Sequence, residues 1–286
     1  MRRTRLPHSF LVLILLFCTA SWASAYVPTT PQLTRKMFSK LGRIRCVALT
    51  KQEHFYPDPA PETAAEPRVL SGVLTVQTPD ASHDLLVDDG RLLETYATSK
   101  VWFRLSDGRR VEAARGVSEL YLLPLQIRKR AMFEEALLKH GVDVNRTSLD
   151  RHNGRIAWVM GEKGRAGNRA MAPQFWLEKE SFLPMRWVLP TRGGATVEIW
   201  YHDWFKEGNA SWPGRIEFYR DGFLYRDIRI TKARSQSPLP RKRFLIETYT
   251  PYAPTSAQSE PAPQPTEGEM RLKEIESILS RDVLAF

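Results

Sequence analysis

GRIAWVMGEK (residues 154–163), PQFWLEKES (173–181), LPMRWVLP (183–190), GATVEIWYHDW (194–204), SWPGRIEFYR (211–220), GFLYRDIRITKAR (222–234) and KRFLIETY (242–249) decide how this chain folds. Each run is built on β-branched or aromatic residues and reads as a strand. Turn formers separate the runs: Asn153-Gly154, Phe182-Leu183-Pro184, Gly193-Gly194 and Asp221-Gly222. Asp-Gly takes the positive φ angles of a two-residue hairpin, so RIEFY and FLYRDIRI should pair across it. Most runs alternate. Ile216 and Phe218 face one way, Glu217 and Tyr219 the other, as in an antiparallel sheet with one apolar and one polar face.

Upstream, residues 43–56, 68–78, 84–87, 92–98 and 100–111 read as further strands. Asp89-Gly90 and Asp107-Gly108 mark hairpin turns between some of them. Residues 57–67 are rich in proline and alanine and read as a loop. Two stretches change period. In residues 30–41, Leu33, Met37, Phe38 and Leu41 lie at helical spacing, with Thr30 as the expected cap, Pro31 in the first turn and Gly42 at the end. Residues 118–140 place Leu120, Leu123, Ile127, Met132, Phe133, Ala136 and Leu137 three to five apart. This predicts a helix broken near Pro124, with Gly141 as its C-cap. Its apolar stripe needs a partner, and the apolar face of the sheet is available.

The ends differ from the middle. Arg2, Arg3 and Arg5, the apolar run 10–17 and Ala23-Ser24-Ala25 form the pattern of a secretory signal peptide over residues 1–25, cleaved before Tyr26. Export to the periplasm is the expectation. The formal charge is +10, and cleavage removes three arginines and no acid. Cys46 is then the remaining cysteine, which excludes an intrachain disulfide and leaves stability to packing. It is expected to be a small buried hydrophobe. Residues 248–269 collapse into Pro, Ala, Ser, Thr, Gln and Glu and read as a disordered linker. Residues 270–286 carry Leu272, Ile275, Leu279, Val283 and Phe286 on one helical stripe. This amphipathic helix either docks on its own domain or recruits a protein partner.

No pattern of a catalytic site or cofactor emerges. The histidines have no ligand spacing for a metal. Gly-x-Ser-x-Gly is absent, and Gly161, Gly164 and Gly167 lack the lysine and helix of a phosphate loop. A hydrolase with dispersed residues stays as a minor alternative. The basic residues would suit nucleic acid, but export argues against that partner and favours an anionic membrane surface or acidic headgroup.

The runs PQFWLEKESFLPMRWVLP and WPGRIEFYRDGFLYRDIRITKARSQSPLPRKRFLIE, set in this order of elements, resemble the outer-membrane lipoprotein carrier superfamily (LolA/LolB-like, with the RseB regulator as a relative). The likeness covers residues 31–247. It implies an α+β fold: a strongly curved antiparallel sheet, an unclosed β-barrel, with helices plugging its concave side and acyl chains held between. The half-barrel domain would span residues 26–247. The loop at 57–67, the basic helix near Arg130 and the tethered tail depart from the carriers.

The reading that follows is a non-enzymatic periplasmic carrier for a lipid, a lipoprotein acyl chain or another hydrophobic ligand. Candidate lining residues are Trp102, Trp158, Trp176, Trp187, Trp200 and Phe218 from the strands and Leu123, Ile127 and Phe133 from the helix. Alternation alone leaves open which of the tryptophans face inward. Arg128, Lys129 and Arg130 are the candidate headgroup contacts. The alternative is an envelope interaction module that recruits its partner through residues 270–286.

Overall fold

The structure, a computed structural model, describes residues 27–57, 66–88, 91–98, 101–104, 110–113, 117–163, 172–191 and 194–246. The expected leader, the 248–269 linker, the tail helix, residues 58–65 of the expected 57–67 loop and residues 164–171 lie outside these residues.

Helix α1 spans Thr30–Leu41. Its cap is Thr29, one residue earlier than expected: the Thr29 N–H donates to Gln32 Oε1 at 2.9 Å, half of a capping box. Leu33, Met37 and Leu41 are fully buried. Strands β1 (Cys46–Phe55), β2 (Arg68–Gln77), β3 (Ala81–Asp88), β4 (Arg91–Ala97), β5 (Val101–Arg104) and β6 (Arg110–Ala113) follow. The predicted helix 118–140 is three short ones: α2 (Val117–Leu120), α3 (Leu123–Gln126) and α4 (Arg130–Lys139). Pro124 starts α3 rather than kinking a longer helix, since its ring fits the first turn and no other.

Strands β7 (Thr147–His152), β8 (Arg155–Gly161), β9 (Gln174–Glu178), β10 (Pro184–Pro190) and β11 (Thr196–His202) come next. A small hairpin of β12 (Phe205–Glu207) and β13 (Ala210–Trp212) precedes β14 (Arg215–Arg220) and β15 (Phe223–Ser235). Asn153-Gly154 (φ 46° and 78°) and Asp221-Gly222 (φ 50° and 86°) are the two-residue turns expected from their sequence. The described part of KRFLIETY, residues 242–246, is not a strand. Pro238 and Pro240 deny ladder donors, and Arg241–Phe244 coils into a 3-10 turn that buries Phe244 and Ile246.

Thirteen strands form one antiparallel sheet in the order β6-β5-β4-β3-β2-β1-β15-β14-β11-β10-β9-β8-β7. The sheet is open, with β6 and β7 at its edges. The chain meanders from the centre to one edge, crosses as α2–α4, and meanders back from the other edge until β15 pairs with β1. The helical plug is therefore the crossover between the two edges. Together with α1 it covers the inner face, and this interface is the main hydrophobic core.

Candidate functional site between sheet and plug

Register sorts the side chains. Trp187 pairs with Phe175 and Ile199, and Ile199 with Phe218, so these four share the inner face. Trp158 pairs with Leu177 and Leu149 on that face too. From the plug, Leu123, Ile127 and Phe133 pack against them. Edge-to-face rings run through the interface: Phe38 to Phe133 at 5.6 Å, Phe133 to Phe175 at 5.2 Å and Phe175 to Trp187 at 5.4 Å.

Three of the expected lining tryptophans are elsewhere. Trp176 and Trp200 both pair with Arg186, one residue out of phase with Trp187, and so face outward. Arg186 lies over both rings, at 5.1 and 6.0 Å, and holds Glu198 at 2.8 Å. Trp102 pairs with Tyr96 and His83 across β5-β4-β3, again on the outer face. Strand parity forbids these three from sharing a cavity with Trp187.

The described plug fills the hollow closely. A cavity of about 30 Å³ remains beside a buried ionic cluster, walled by Glu53, Asp84, Glu119, Tyr121 and Arg226 among others. Lys51 and Glu53 occupy the inner register of β1, where Leu49 and Phe55 precede and follow them. Lys51 bonds Glu53 and, at 2.5 Å, Asp84. Arg226 reaches Glu53 from β15 at 2.7–2.8 Å. Its guanidinium stacks 4.8 Å from the Phe218 ring. Burial pushes the Glu53 carboxyl up, but Arg226 and Lys51 outweigh it and hold it below the usual range. Burial wins at Asp84, whose pKa is raised against the pull of Lys51. Asp84 Oδ1 is buried without a partner. Sequence reading missed this cluster. The signal was two charges at positions of β1 with the parity of its apolar residues.

Of the candidate headgroup residues, Lys129 and Arg130 are exposed, and Arg130 pairs with Glu134 at 3.6 Å. Arg128 is half-buried. A second pocket, about 300 Å³, lies on the outer face between Thr75, His83, Glu94 and Tyr96 of the sheet and Leu239, Arg243, Phe244 and Leu245 of the closing segment. Among the described residues no group of His, Cys, Asp and Glu is arranged to hold a metal, and no helix is long and apolar enough to cross a membrane. Cys46 is buried, its sulfur 3.3 Å from Gln236 Nε2.

No family model and no curated protein matches this sequence. Solved structures do match it. A domain assigned to outer membrane lipoprotein sorting from Vibrio parahaemolyticus aligns with a TM-score of 0.51 at 10% identity, over 75% of this chain and 95% of that one. The chain has the LolA-like fold. A LolA superfamily protein from Nitrosomonas europaea gives the same score and identity over 77% of this chain and 99% of its own. So does a DUF1329 family protein from Desulfovibrio piger, over 78% and 99%. The LolA-like half-barrel of this protein departs from the sequence expectation chiefly in how closely its plug packs.

Proposed function

We propose that this protein is a periplasmic carrier or binding protein for a hydrophobic ligand, a lipid or a lipoprotein acyl chain, and performs no catalysis. One observation carries the reading: outside the Lys51–Glu53–Asp84–Arg226 cluster the inner face of the open sheet is apolar, and its cover is a separate crossover of three short helices. Polar ties and apolar packing both hold that crossover. Tyr201 donates to the Tyr121 carbonyl at 3.1 Å, and Thr34 of α1 donates to Glu134 at 2.7 Å. Apolar contacts from Leu123, Ile127 and Phe133 pack it on the sheet, and an acyl chain supplies contacts of the same kind. Loading therefore exchanges Leu123, Ile127 and Phe133 for ligand against Trp158, Trp187 and Phe218. The leader pattern and the lipoprotein-sorting neighbours support the periplasmic setting. The titratable groups gathered on the inner face are tied up in ion pairs, which supports binding over catalysis.

The test uses the leaderless chain, purified natively and again after incubation with vesicles. Mass spectrometry should find bound lipid, and brominated acyl chains should quench buried tryptophan emission. A protein that carries no lipid by either route sinks the reading. The second reading, a partner-recruiting module, rests on the apolar stripe of residues 270–286. Deleting residues 247–286 separates the two: a carrier keeps its lipid, an adaptor loses its partner.

A further inference from the structure

The junction between α3 and α4 holds a charge with no counter-charge. Nε and both terminal nitrogens of Arg128 are buried, and none has a hydrogen-bond partner. Its near neighbour is the Trp212 ring, 5.8 Å from the guanidinium carbon. A ring face attracts the cation but satisfies none of its five N–H donors. Among the described residues, the two arginines buried as whole side chains are paired with carboxylates: Arg226 with Glu53, Arg186 with Glu198. The buried nitrogens of Arg128 have no such carboxylate, and an unpaired buried ion is strongly unfavourable. Burial alone brings its pKa down to about 10, so it stays charged at neutral pH.

The adjoining residues add positive charge, offset in part by Glu134, which Arg130 holds at 3.6 Å. Lys129 is the N-cap of α4 and Arg130 its first residue. This ten-residue helix has no side-chain cap and no acidic residue in its first turn. Its opening N–H groups therefore lack acceptors, and its dipole is positive at the same end. A forked guanidinium, an ammonium and free helix N–H groups, adjacent along the chain here, are donors of the kind that hold a phosphate-type oxyanion.

We propose that the α3–α4 junction binds a phosphate oxyanion through Arg128, with Lys129 and the first turn of α4 as supporting donors. On the carrier reading above, that oxyanion is the headgroup phosphate of the lipid whose chains enter beneath the plug. A free phosphate offers the same chemistry.

The experiment compares the full leaderless chain with Arg128→Met, which keeps the stem and removes the charge. Vesicles of phosphatidylglycerol and of phosphatidylcholine form one arm; both carry the phosphate, but the choline ammonium of phosphatidylcholine neutralises it and is repelled by the cations of the junction, so this arm reads a net-anionic phosphate. Inorganic phosphate against chloride, at constant ionic strength, forms the other. The wild type should retain phosphatidylglycerol over phosphatidylcholine by roughly tenfold, a single charge-assisted contact. Arg128→Met should lose that preference, take up phosphatidylcholine as before, and melt higher than the wild type in phosphate-free buffer. Arg128→Lys should restore part of the preference. Stabilisation of the wild type but not the variant by inorganic phosphate, without lipid preference, keeps the receptor and assigns it to free phosphate. If neither vesicle lipid is retained while phosphate still discriminates, the carrier reading fails and the receptor stands. If neither phosphate nor phosphatidylglycerol distinguishes the wild type from Arg128→Met, the receptor is wrong, even if phosphatidylcholine is carried. Should Arg128→Met not fold, Arg128→Gln takes its place in every comparison.

Discussion

A charge set on the apolar parity of a strand has to be answered from across the sheet. Lys51 and Glu53 are answered by Asp84 and Arg226, and all of them sit beneath Tyr121 and Leu122 of the plug. Removing one member of a buried pair leaves its partner uncompensated, at a cost of about 3–5 kcal/mol. Arg226→Met should therefore lower the urea unfolding free energy by that order, although its side chain would still pack on Phe218. A loss of under about 1 kcal/mol would mean that Lys51 alone satisfies Glu53. Histidines set a second dependence. Burial holds His152 below the usual histidine range, Arg186 adds to the effect, and Glu198 opposes it. Burial does the same at His83. A histidine with a depressed folded pKa binds fewer protons folded than unfolded. Its contribution is complete above about pH 6.5 and is lost as the pH falls toward the folded value. The melting midpoint should fall on acidification from about pH 7.5 to 5.5. His152→Phe keeps the edge-on contact with Trp200, 4.4 Å away, and removes the titration. Its midpoint should fall less steeply. An unchanged slope would clear His152 of any part.

At the scale of elements, the hairpins were legible because Asn-Gly and Asp-Gly have one comfortable conformation between paired strands. β14 was legible because Ile216 and Phe218 alternate with charged and half-buried residues. The inward tryptophans were not legible, because β8 to β10 are covered on both faces. Ala157, Val159, Trp176 and Met185 form an apolar cluster opposite the main core. A strand that is apolar on both sides carries no parity signal, and only its pairing with Ile199 and Phe218 tells Trp187 from Trp176. The closing segment was misread because its apolar residues look strand-like while its prolines rule out a ladder. Gly42 is an element-scale feature of another kind. It ends α1 at φ +73° and bridges to Ala210 of β13. A Cβ there would lie 1.7 Å from the Asn209 carbonyl oxygen. Gly42→Ala should cost more than about 2 kcal/mol, from the left-handed backbone and the forced separation together. Trp212, buried at 0% exposure on that hairpin, reports it. Its emission should shift to the red in the variant, and an unshifted spectrum would show that α1 and the β12–β13 hairpin are not coupled through Gly42.

At the scale of the whole molecule, the plug covers the inner face and ties the two edges of the sheet together. It leaves the sheet at edge strand β6 and rejoins it at edge strand β7, so it can rise from the inner face only as far as its two junctions allow. The junction from α4 to β7 is short: Gly141 turns at φ +79°, and the Val142 N–H donates to the Leu137 carbonyl at 3.0 Å. Asn145 and Arg146 in that junction are exposed. Lengthening it there loosens the tether without touching the packed faces. Doubling a loop costs only about 0.6 kcal/mol of closure entropy, so a flexible insertion after Asn145 should barely change the urea midpoint. If the ligand lies beneath the plug, the same insertion should speed exchange of a fluorescent fatty acid in both directions, with little change in affinity. The reason is that the bound state and the free closed state each keep their contacts while the barrier between them falls. If instead the ligand occupies the 300 Å³ outer pocket beside His83 and Phe244, the insertion leaves exchange untouched, and Phe244→Ala becomes the variant that alters it. The two sites lie on opposite faces of one sheet, so stopped-flow exchange on these two variants assigns the ligand to one face and removes it from the other.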